Sequence, residues 1–356
     1  MSFLKIIRKL SIHFLVYILV VGLIMAFSVL IFKFGPPKIE FYDNSWAHLE
    51  PYIPETNTTY SVLFDQHSHT KYSDGRLTVK QNIEWHIKLG FTAVAITDHN
   101  TLSNSDEIIQ LAEEYKKEII VIQGMEWTTR RIHLNFIGIS EWSLRIPINP
   151  TDTEIQEAII EVHNQNGIVT ANHLPFTEKT IGNKMPTRED LLLWGVDFIE
   201  IVNGMDFDEK SYSFYLENNE TIGVITGTDM HSPDSTEGGR VYAWTTLNTV
   251  NFSKTAIMAE LRDHNTSFIV NQMGVEIQGI HKISTTYRVL QPFYELGEGL
   301  VFYYFGYDNV IDNFNRVIVS IFITYSFGIF ILMEFLLYLR NALRYKHKKK
   351  LKSSLK

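Results

Sequence analysis

The spacing of apolar residues changes repeatedly between residues 60 and 270. Short apolar runs, typical of buried strands, alternate with stretches whose apolar residues recur every three or four positions, as in amphipathic helices. The predicted strands cover residues 60–64, 91–97, 118–124, 132–138, 168–172, 196–203, 222–228, 240–247 and 267–270. The predicted helices cover residues 77–90, 105–117, 151–167, 187–195, 208–219 and 254–264. Strands and helices that alternate in this way predict a parallel α/β sheet, either open or closed into a barrel.

Two apolar segments lie near the ends of the chain. Leu10–Phe32 contains no Asp, Glu, Lys or Arg over 23 residues, and Val317–Leu339 contains only Glu334 over the same length. About 20 apolar residues are enough to cross a bilayer as a helix, so we predict transmembrane helices at residues 10–33 and 317–339. The first segment is longer than the apolar region of a signal peptide, which favours an uncleaved anchor. Glu334 lies near the end of its segment, where its carboxylate is expected to reach the lipid headgroups.

The charges that flank these segments predict their orientation. The head, residues 1–9, carries three basic residues and no acidic one, and the tail, residues 340–356, carries eight basic residues and no acidic one. Because cytoplasmic flanks are enriched in Lys and Arg, we expect a two-pass protein of the cell membrane with both termini cytoplasmic and an extracytoplasmic catalytic domain. Residues 34–316 carry 20 basic and 39 acidic residues, a net charge near −19. Such a charge disfavours long nucleic acids, which require a basic surface.

The remaining segments have less regular patterns. Residues 34–59 contain four prolines without a clear period and are expected to be a linker. Residues 60–270 form the predicted α/β domain, and residues 271–316 lose the alternation, which suggests an antiparallel flap or a membrane-proximal stalk. The chain has no cysteine, which excludes disulfides, thiolate zinc sites and cysteine nucleophiles.

Metal-ligating residue types follow five of the predicted strands. They are His67, His69, Asp98, His99, Glu126, His173, Asp229 and His231. In α/β barrels, active sites gather at the carboxyl ends of the strands, so we expect these side chains to converge. Residues i and i+2 share a face of an extended chain, so His67 and His69 could hold one ion. Histidine and carboxylate together suit zinc, manganese or iron rather than calcium, and Asp65 is expected to fix the tautomer of one imidazole.

Each of these features also has a plain structural explanation. His67 and His69 could be a surface pair, Asp98 could cap a helix, Glu126 could be a solvated loop acid and His173 a core histidine. The joint pattern favours a metal site, because six of the thirteen histidines lie at or beside strand ends. The other seven are expected to be structural: His13, His48, His86, His163, His264, His281 and His347.

The ordered motifs over about residues 60–270 resemble those of the polymerase and histidinol phosphatase (PHP) family. They read "DQHSH", "SDG", "TDH", "GME", "IHLN", "NHLP" and "TDMH". The resemblance implies a distorted (β/α)7 barrel that holds up to three metal ions and, in most members, hydrolyses phosphate esters. It assigns His67, His69, Glu126 and Asp229 to one metal, Glu126, His133 and His173 to a second, and Asp74, His99 and His231 to a third.

These observations together predict a membrane-anchored, metal-dependent phosphoesterase. Two or three zinc, manganese or iron ions would provide a hydroxide at neutral pH, and the substrate would be a small phosphate mono- or diester. Two alternatives stay open. One is a metal-dependent hydrolase of another bond, similar to an amidohydrolase, and the other is a non-enzymatic binding or signalling module that contains metal.

Five residues besides the metal ligands are candidates for catalysis. Asp98 could orient its neighbouring histidine or relay a proton. A guanidinium group binds two phosphate oxygens at once, and four arginines near the motifs could act in this way. Arg131 and Arg240 are the leading candidates, and Arg76 and Arg130 are the other two.

Overall fold

The computed structural model describes residues 3–181, 184–233, 239–305 and 313–354. The chain divides into two compact units, residues 39–282 and the combination of residues 1–38 with 283–356. The strands are β1 (Ile39–Phe41), β2 (Val62–Asp65), β3 (Ala93–Ile96), β4 (Ile120–Thr128), β5 (His133–Ile137), β6 (Ile168–Ala171), β7 (Phe198–Asn203), β8 (Asp206–Phe207), β9 (Gly223–Gly227), β10 (Val241–Leu247), β11 (Ser267–Val275) and β12 (His281–Ile283). The helices are α1 (Phe3–Phe34), α2 (Val79–Lys88), α3 (Ser105–Tyr115), α4 (Asp152–Asn164), α5 (Leu174–Ile181), α6 (Arg188–Leu193), α7 (Glu209–Asn218), α8 (Lys254–Arg262), α9 (Thr285–Phe305) and α10 (Asn313–Ser354).

The 39–282 unit is built on one curled sheet with the strand order β11-β10-β2-β3-β4-β5-β6-β7-β8, and β9 pairs with β7. The strands β2, β3 and β4 are parallel, as are β6, β7 and β9. β5 is antiparallel to both β4 and β6, and β10 is antiparallel to β2 and β11. The sheet is therefore mixed rather than wholly parallel. The expected α/β class is confirmed, whereas the seven-stranded barrel stays a prediction.

The antiparallel direction of β5 follows from the length of the turn before it. Only residues 129–132 separate β4 from β5, and the backbone N–H of Thr129 donates to the carbonyl oxygen of Ile132 at 3.2 Å. A parallel neighbour needs a crossover of about a dozen residues or more. The short turn therefore forces a hairpin, which returns the chain at His133, immediately beside the end of β4.

The chain segments that follow β2 and β9 meet in a seam that is joined by two backbone hydrogen bonds. The N–H of Asp229 donates to the carbonyl oxygen of His67, and the N–H of His69 donates to the carbonyl oxygen of Met230, each at 2.9 Å. Beside this seam, the hydroxyl of Thr245 on β10 accepts the N–H of Thr226 on β9 at 2.9 Å. The seam places Asp229, from late in the chain, against the histidines that follow β2.

Local sequence explains where several helices begin. Helices α2, α4 and α6 start with a threonine whose hydroxyl accepts the N–H of the third helical residue, while that residue's side chain accepts the N–H of the threonine. These are capping boxes. All four residues of β2 and of β3 are buried, as expected for strands covered on both faces. The helices thus cover a sheet whose carboxyl edge is left open for polar side chains.

The predicted linker is in large part structured. Residues 39–41 form β1, which pairs with β12. Trp46 is buried and stacks on Phe41 with ring centroids 5.3 Å apart, and Tyr52 stacks on Trp244 of β10 at 5.6 Å. Large aromatic side chains dominate core burial. The buried Trp46 and the contact of Tyr52 with β10 therefore hold residues 39–52 in the fold despite the prolines.

Residues 271–316 also carry more structure than the sequence pattern suggested. Residues 271–275 extend β11 as an antiparallel neighbour of β10, which agrees with the expectation of an antiparallel flap. β12 and α9 follow, and residues 306–312 lie outside the described residues.

The other unit contains two helices that are long and apolar enough to span a membrane. The apolar stretches are Ile7–Phe34 of α1 and Ile318–His347 of α10. The sequence led us to expect that the Glu334 carboxylate reaches the lipid headgroups. In the structure this carboxylate pairs with Nδ1 of His13 on α1. The hydroxyl of Tyr17 lies 3.1 Å from that of Ser326. Polar contacts between apolar helices are stabilising because the alternative is an unpaired polar group in hydrocarbon.

Candidate metal centre

The nine predicted ligands converge at the carboxyl edge of the curled sheet. His67 and His69 follow β2, Asp74 lies in the next loop, and His99 follows β3. Glu126 lies within β4, His133 begins β5, His173 follows β6, and Asp229 and His231 follow β9. The strand-end rule therefore placed the cluster correctly. Two ligand positions have a left-handed backbone, with φ of 29° at His173 and 53° at Asp229. Such conformations are unfavourable for residues with a Cβ and cluster at functional sites.

Glu126 lies at the centre of the cluster, is fully buried and is surrounded by imidazoles. From its Oε1 the distances are 3.0 Å to His133 Nδ1, 3.1 Å to His173 Nε2 and 3.6 Å to His67 Nε2, and from its Oε2 they are 2.7 Å to His99 Nδ1 and 3.6 Å to His69 Nε2. One carboxylate within reach of five histidines has the arrangement expected of a group that bridges two ions.

Two further carboxylates complete the cluster. Oδ1 of Asp229 lies 3.2 Å from His67 Nε2 and 3.1 Å from His69 Nε2. On the more exposed side, the Asp74 carboxylate lies 3.5 Å from His99 Nε2 and 3.3 Å from His231 Nε2.

Three groups of ligand atoms are each compact enough to hold one ion, with all atoms of a group within 4.8 Å of one another. The groups are His67, His69 and Asp229; His67, Glu126 and His173; and His69, Asp74, His99 and His231. They overlap with the sets implied by the family resemblance but differ at four places: His69 also joins the third group, His67 joins the second, the first group lacks Glu126, and the second lacks His133. His133 stays beside Glu126 as predicted, with its ring 4.9 Å from that of His173. The assignment of each residue to an ion stays a prediction.

The polar atoms of the cluster fit a divalent metal better than hydrogen bonds among themselves. His67 Nε2 and Glu126 Oε2 are buried and have no aligned hydrogen-bond partner among the described residues, although both lie within 3.6 Å of polar atoms. Buried polar atoms in folded proteins almost always have partners. Lone pairs that face a common centre without shared hydrogens are what ligands of one ion require, and the histidine and carboxylate set suits zinc, manganese or iron.

The electrostatics of the cluster point the same way. Burial favours the neutral form of Glu126, but His99, His133 and His67 outweigh it and hold its pKa well below the ordinary value. Burial, together with the charges of His231 and His99, lowers the pKa of His69 to about 4. The Glu126 carboxylate therefore stays ionised next to a neutral His69 at pH 7. Burial lowers the pKa values of His67, His99 and His173, but the neighbouring carboxylates outweigh burial and raise them, so protons occupy positions that a divalent cation would take.

The pKa of His231, the most exposed histidine of the cluster, is raised as well. Burial lowers the pKa of His231, but the carboxylates of Asp229 and Asp74 raise it overall to about 9. Protons therefore compete with metal for this position at neutral pH.

Glu200 on β7 is a site residue that the sequence motifs did not reveal. It is buried, and its Oε1 accepts a hydrogen bond from Nδ1 of His67 at 3.0 Å. The role expected of Asp65 thus falls to Glu200, whereas Asp65 binds Nε2 of His86 at 2.9 Å. The only sequence signal was an acid inside the apolar run "FIEIVN", where a buried carboxylate requires partners.

Asp98 does not occupy the position expected of a proton relay. Its carboxylate is buried and accepts four hydrogen bonds, from the N–H and hydroxyl of Thr70, the hydroxyl of Ser73 and the amide of Asn104, at 2.6–2.7 Å. The described donors do not include His99, whose Nδ1 faces Glu126. Asp98 instead fastens the loop that carries the next ligand along the chain.

The two leading arginine candidates are bound elsewhere. Nη1 of Arg131 lies 2.9 Å from the carbonyl oxygen of Pro150 and 2.7 Å from the carboxylate of Asp152. Arg240 is exposed and pairs with Glu276 at 2.6 Å. Neither forms an ion pair with a carboxylate of the cluster in the part of the chain that the structure describes. The partners of both side chains lie outside the motifs, so the motifs do not predict where the side chains point.

Arg76 is attached to the cluster through its backbone. Its N–H donates to the carbonyl oxygen of His231 at 2.6 Å, and it lies two residues after Asp74. Arg130 is exposed in the loop between β4 and β5. The Arg76 backbone is thus bonded directly to a predicted ligand.

Comparison with known proteins agrees with this geometry. The family model of the PHP domain matches residues 65–193, a segment that carries seven of the nine predicted ligands. This segment is therefore similar in sequence to the PHP domain. Asp229 and His231 lie beyond it in sequence, and the seam between β2 and β9 brings them to the ligands of this segment.

Individual relatives match shorter parts of the chain. An uncharacterized protein of Methanocaldococcus jannaschii is 43% identical over 74 residues, which are 19% of this chain and 34% of that protein. The 5'-3' exoribonuclease Rnm of Salmonella typhimurium is 30% identical over 88 residues, 24% of this chain and 30% of that protein. The chain thus matches about a third of the length of these curated relatives.

A solved structure supports the fold over a longer range. It is a two-domain protein of Bacteroides vulgatus that contains a predicted PHP-like metal-dependent phosphoesterase. The superposition has a TM-score of 0.51 at 22% sequence identity, and it covers 69% of this chain and 73% of the Bacteroides vulgatus chain. At this identity the likeness shows the fold alone.

Proposed function

We propose that residues 39–282 form a metal-dependent phosphoesterase that hydrolyses a small phosphate mono- or diester. The observation that carries the proposal is Glu126, a buried carboxylate among five imidazoles whose Oε2 has no aligned hydrogen-bond partner among the described residues, at the carboxyl edge of the curled sheet. Two or three divalent ions of zinc, manganese or iron would be held by the nine predicted ligands. Such ions lower the pKa of a coordinated water from 15.7 to about 7 and neutralise phosphate charge.

The chain's own residues then divide into three tasks. The predicted carboxylate and imidazole ligands would hold the ions, with Glu126 as a shared ligand. Substrate enters from the side of Asp74, whose side chain is 57% exposed, and His231, at 33%, whereas Glu126 is fully enclosed. Arg76, whose backbone N–H donates to the carbonyl oxygen of His231, is a candidate to bind a phosphate oxygen. Asp98 keeps the loop of Asp74 in place and takes no proton.

The net charge of the protein favours a small substrate. Residues 34–316 carry a net charge near −19, which repels a long polyanion, whereas a single phosphate ester needs only the local positive charge of the ions. A short ribonucleotide ester is a second candidate, because the exoribonuclease Rnm shares 30% identity over 88 residues with this chain.

We further propose that α1 and α10 anchor the protein in a membrane with both termini cytoplasmic. The lengths and composition of the two helices and the basic residues at both chain ends support this topology. The chain has no cysteine, so a membrane-impermeant maleimide would report single introduced cysteines. Labelling of intact cells at Thr58 and not at Ser353 is expected, and the reverse would contradict the orientation.

The phosphoesterase proposal is tested on purified full-length protein. We would measure bound metal and the hydrolysis of an aryl phosphate monoester, an aryl phosphate diester and a short 5'-phosphorylated RNA. In Glu126→Gln we expect loss of at least one metal equivalent and a fall in hydrolysis of at least 100-fold. Glu84→Gln is the matched control, because Glu84 on α2 bonds to Tyr115 at 2.9 Å, away from the cluster.

The outcomes separate the three hypotheses. Metal with turnover of a phosphate ester, lost in Glu126→Gln only, supports the proposal. Metal with cleavage of an amide and not of an ester favours a hydrolase of another bond. Metal without turnover favours a binding or signalling module, and protein that takes up no metal contradicts the proposal as a whole.

A further inference from the structure

Glu200 is a buried carboxylate that connects several segments next to the candidate metal centre. It lies on β7, is 1% exposed, and is outside the motifs that carry the family resemblance. It accepts four hydrogen bonds: at Oε1 from His67 Nδ1 at 3.0 Å and Gln66 Nε2 at 2.8 Å, and at Oε2 from the His173 N–H at 2.8 Å and Asn203 Nδ2 at 3.0 Å. Each oxygen thus has two donors, which satisfies the carboxylate without a metal ion.

The first consequence concerns the tautomer of His67. Because Nδ1 donates its hydrogen to Glu200, the neutral imidazole of His67 carries its lone pair on Nε2, which lies 3.2 Å from Asp229 and 3.6 Å from Glu126. A carboxylate that accepts the second N–H of an imidazole fixes the ring's orientation and raises its strength as a ligand. Glu200 therefore holds His67 in the form that a metal requires.

The second consequence concerns the backbone at two other ligand positions. His173 has φ of 29° and Asp229 has φ of 53°, both in the left-handed region. Oε2 of Glu200 accepts the N–H of His173, and Asn203 donates both to Glu200 and, at 3.3 Å, to Oδ2 of Asp229. One carboxylate thus connects the ends of β2, β6 and β9, each of which presents a ligand.

The fold makes room for this carboxylate. A Cβ added at Gly227 on β9 would lie 2.1 Å from Oε1 of Glu200 and 2.7 Å from Cβ of His67. These are shorter than any real contact, so a side chain at this position and the observed place of Glu200 exclude each other. Gly227 also has an informative neighbour, because a Cβ at Gly223 would lie 2.3 Å from the ring of Phe198 and would not reach Glu200.

We propose that Glu200 is a positioning residue of the metal centre, which orients His67 through its tautomer and holds His173 and Asp229 in place. The inference rests on the proposed function, since it assigns a role toward ions that the ligands would bind. It adds a determinant of metal affinity that is neither a ligand nor a residue of the resemblance motifs.

The test compares metal binding by full-length wild-type protein, Glu200→Gln and Gly227→Ala. Affinity for Zn²⁺ and Mn²⁺ is measured on metal-free protein by competition with a chelator, and the d–d absorption spectrum of the Co²⁺-loaded protein reports the ligand arrangement. We expect both variants to bind the tightest ion about 10–100-fold more weakly and to shift the cobalt bands. Gly223→Ala, on the same strand, is expected to lower the unfolding temperature while its affinity and spectrum stay like wild type.

The results separate this inference from the proposed function. Wild-type protein that binds metal, with Glu200→Gln equal to it in affinity and cobalt spectrum, would overturn the role of Glu200 alone. Equal losses in Gly223→Ala and Gly227→Ala would also overturn it, since general destabilisation would then explain the effect. Wild-type protein that binds no metal would overturn the proposed function and this inference with it.

Discussion

Replacement of Asp98 tests whether this residue has a structural or a catalytic role. The expected change in the free energy of unfolding follows from its hydrogen bonds. The carboxylate accepts two hydrogen bonds from Thr70, one from Ser73 and one from Asn104. Hydrogen bonds to a charged group contribute about 1.5–3 kcal/mol each, but they are not additive, and a buried donor left without a partner costs about 1–3 kcal/mol. Because Asp98→Ala leaves four donors without this acceptor and some of them can turn to water, we expect it to lower the free energy of unfolding by about 4 kcal/mol.

The asparagine variant should cost less. Asp98→Asn retains one oxygen, and the hydroxyls of Thr70 and Ser73 can rotate to accept from the new amide, so we expect a loss of about 2 kcal/mol. For a unit of this size, 1 kcal/mol lowers the unfolding temperature by about 2–4 °C, which gives about 4–8 °C for Asn and about 8–16 °C for Ala. Thermal unfolding of metal-free protein measures this, with the exposed Asp106→Asn as a control that should shift it by less than about 2 °C.

The same variants test the consequence for the site. Because Asp98 holds the loop that carries Asp74, metal bound at the most exposed group should be lost first, while the metal at Glu126 stays. A proton relay would behave differently, with full metal content, wild-type unfolding temperature and a large fall in turnover for Asp98→Asn. That combination would refute the structural reasoning.

Three further expectations follow from contacts at a distance from the cluster. Arg131→Ala and Arg240→Ala should each leave turnover within about twofold of wild type, since both guanidinium groups have partners elsewhere; a fall of 100-fold in either would restore it as a phosphate ligand. The pKa of His163 is raised by its hydrogen bond to Asp197, so its charge stabilises the fold fully below about pH 6.5 and less as the pH rises through the raised pKa. His163→Gln should therefore cost about 0.5 kcal/mol at pH 5.5 and less at pH 9, in chemical denaturation at both pH values; an equal cost at both would argue against it. Glu334→Leu should weaken the association of α1 with α10 by about 0.6 kcal/mol, seen as a lower cross-linking yield between cysteines introduced into the two helices, and an unchanged yield would contradict a stabilising contact.

The sequence allowed the strands, helices and metal ligands of the 39–282 unit to be predicted because these depend on local pattern. All nine strands and six helices predicted between residues 60 and 270 are present with shifted ends. The rule that ligands follow strands located His67 and Asp229, whose side chains meet only in the folded sheet. An apolar run carries no sign of strand direction, so the hairpin at β5 was missed, although the turn at 129–132 was short enough to indicate it.

The errors share a physical cause, which is dependence on partners distant in sequence. Arg240 lies near a motif, but Glu276 determines where its long side chain points. Glu200 looked like an irregularity in a strand, because its four donors come from separate segments. Trp46 lies in a proline-containing segment without a periodic pattern, so its burial was not predicted. Its stacking on Phe41 becomes visible only in the folded chain.

The pairing of β1 with β12 has a consequence for how the 39–282 unit can be handled. Its first and last strands are neighbours, joined further by the Lys282–Glu40 ion pair at 3.0 Å and by the hydroxyl of Ser45, which donates to the carbonyl oxygen of Ile280 at 2.7 Å. Chain ends this close tolerate being joined, because a short connector adds little strain or closure entropy. The unit is therefore suited to circular permutation, with new ends in the exposed turn at residues 248–252 and the old ones linked by a few glycines.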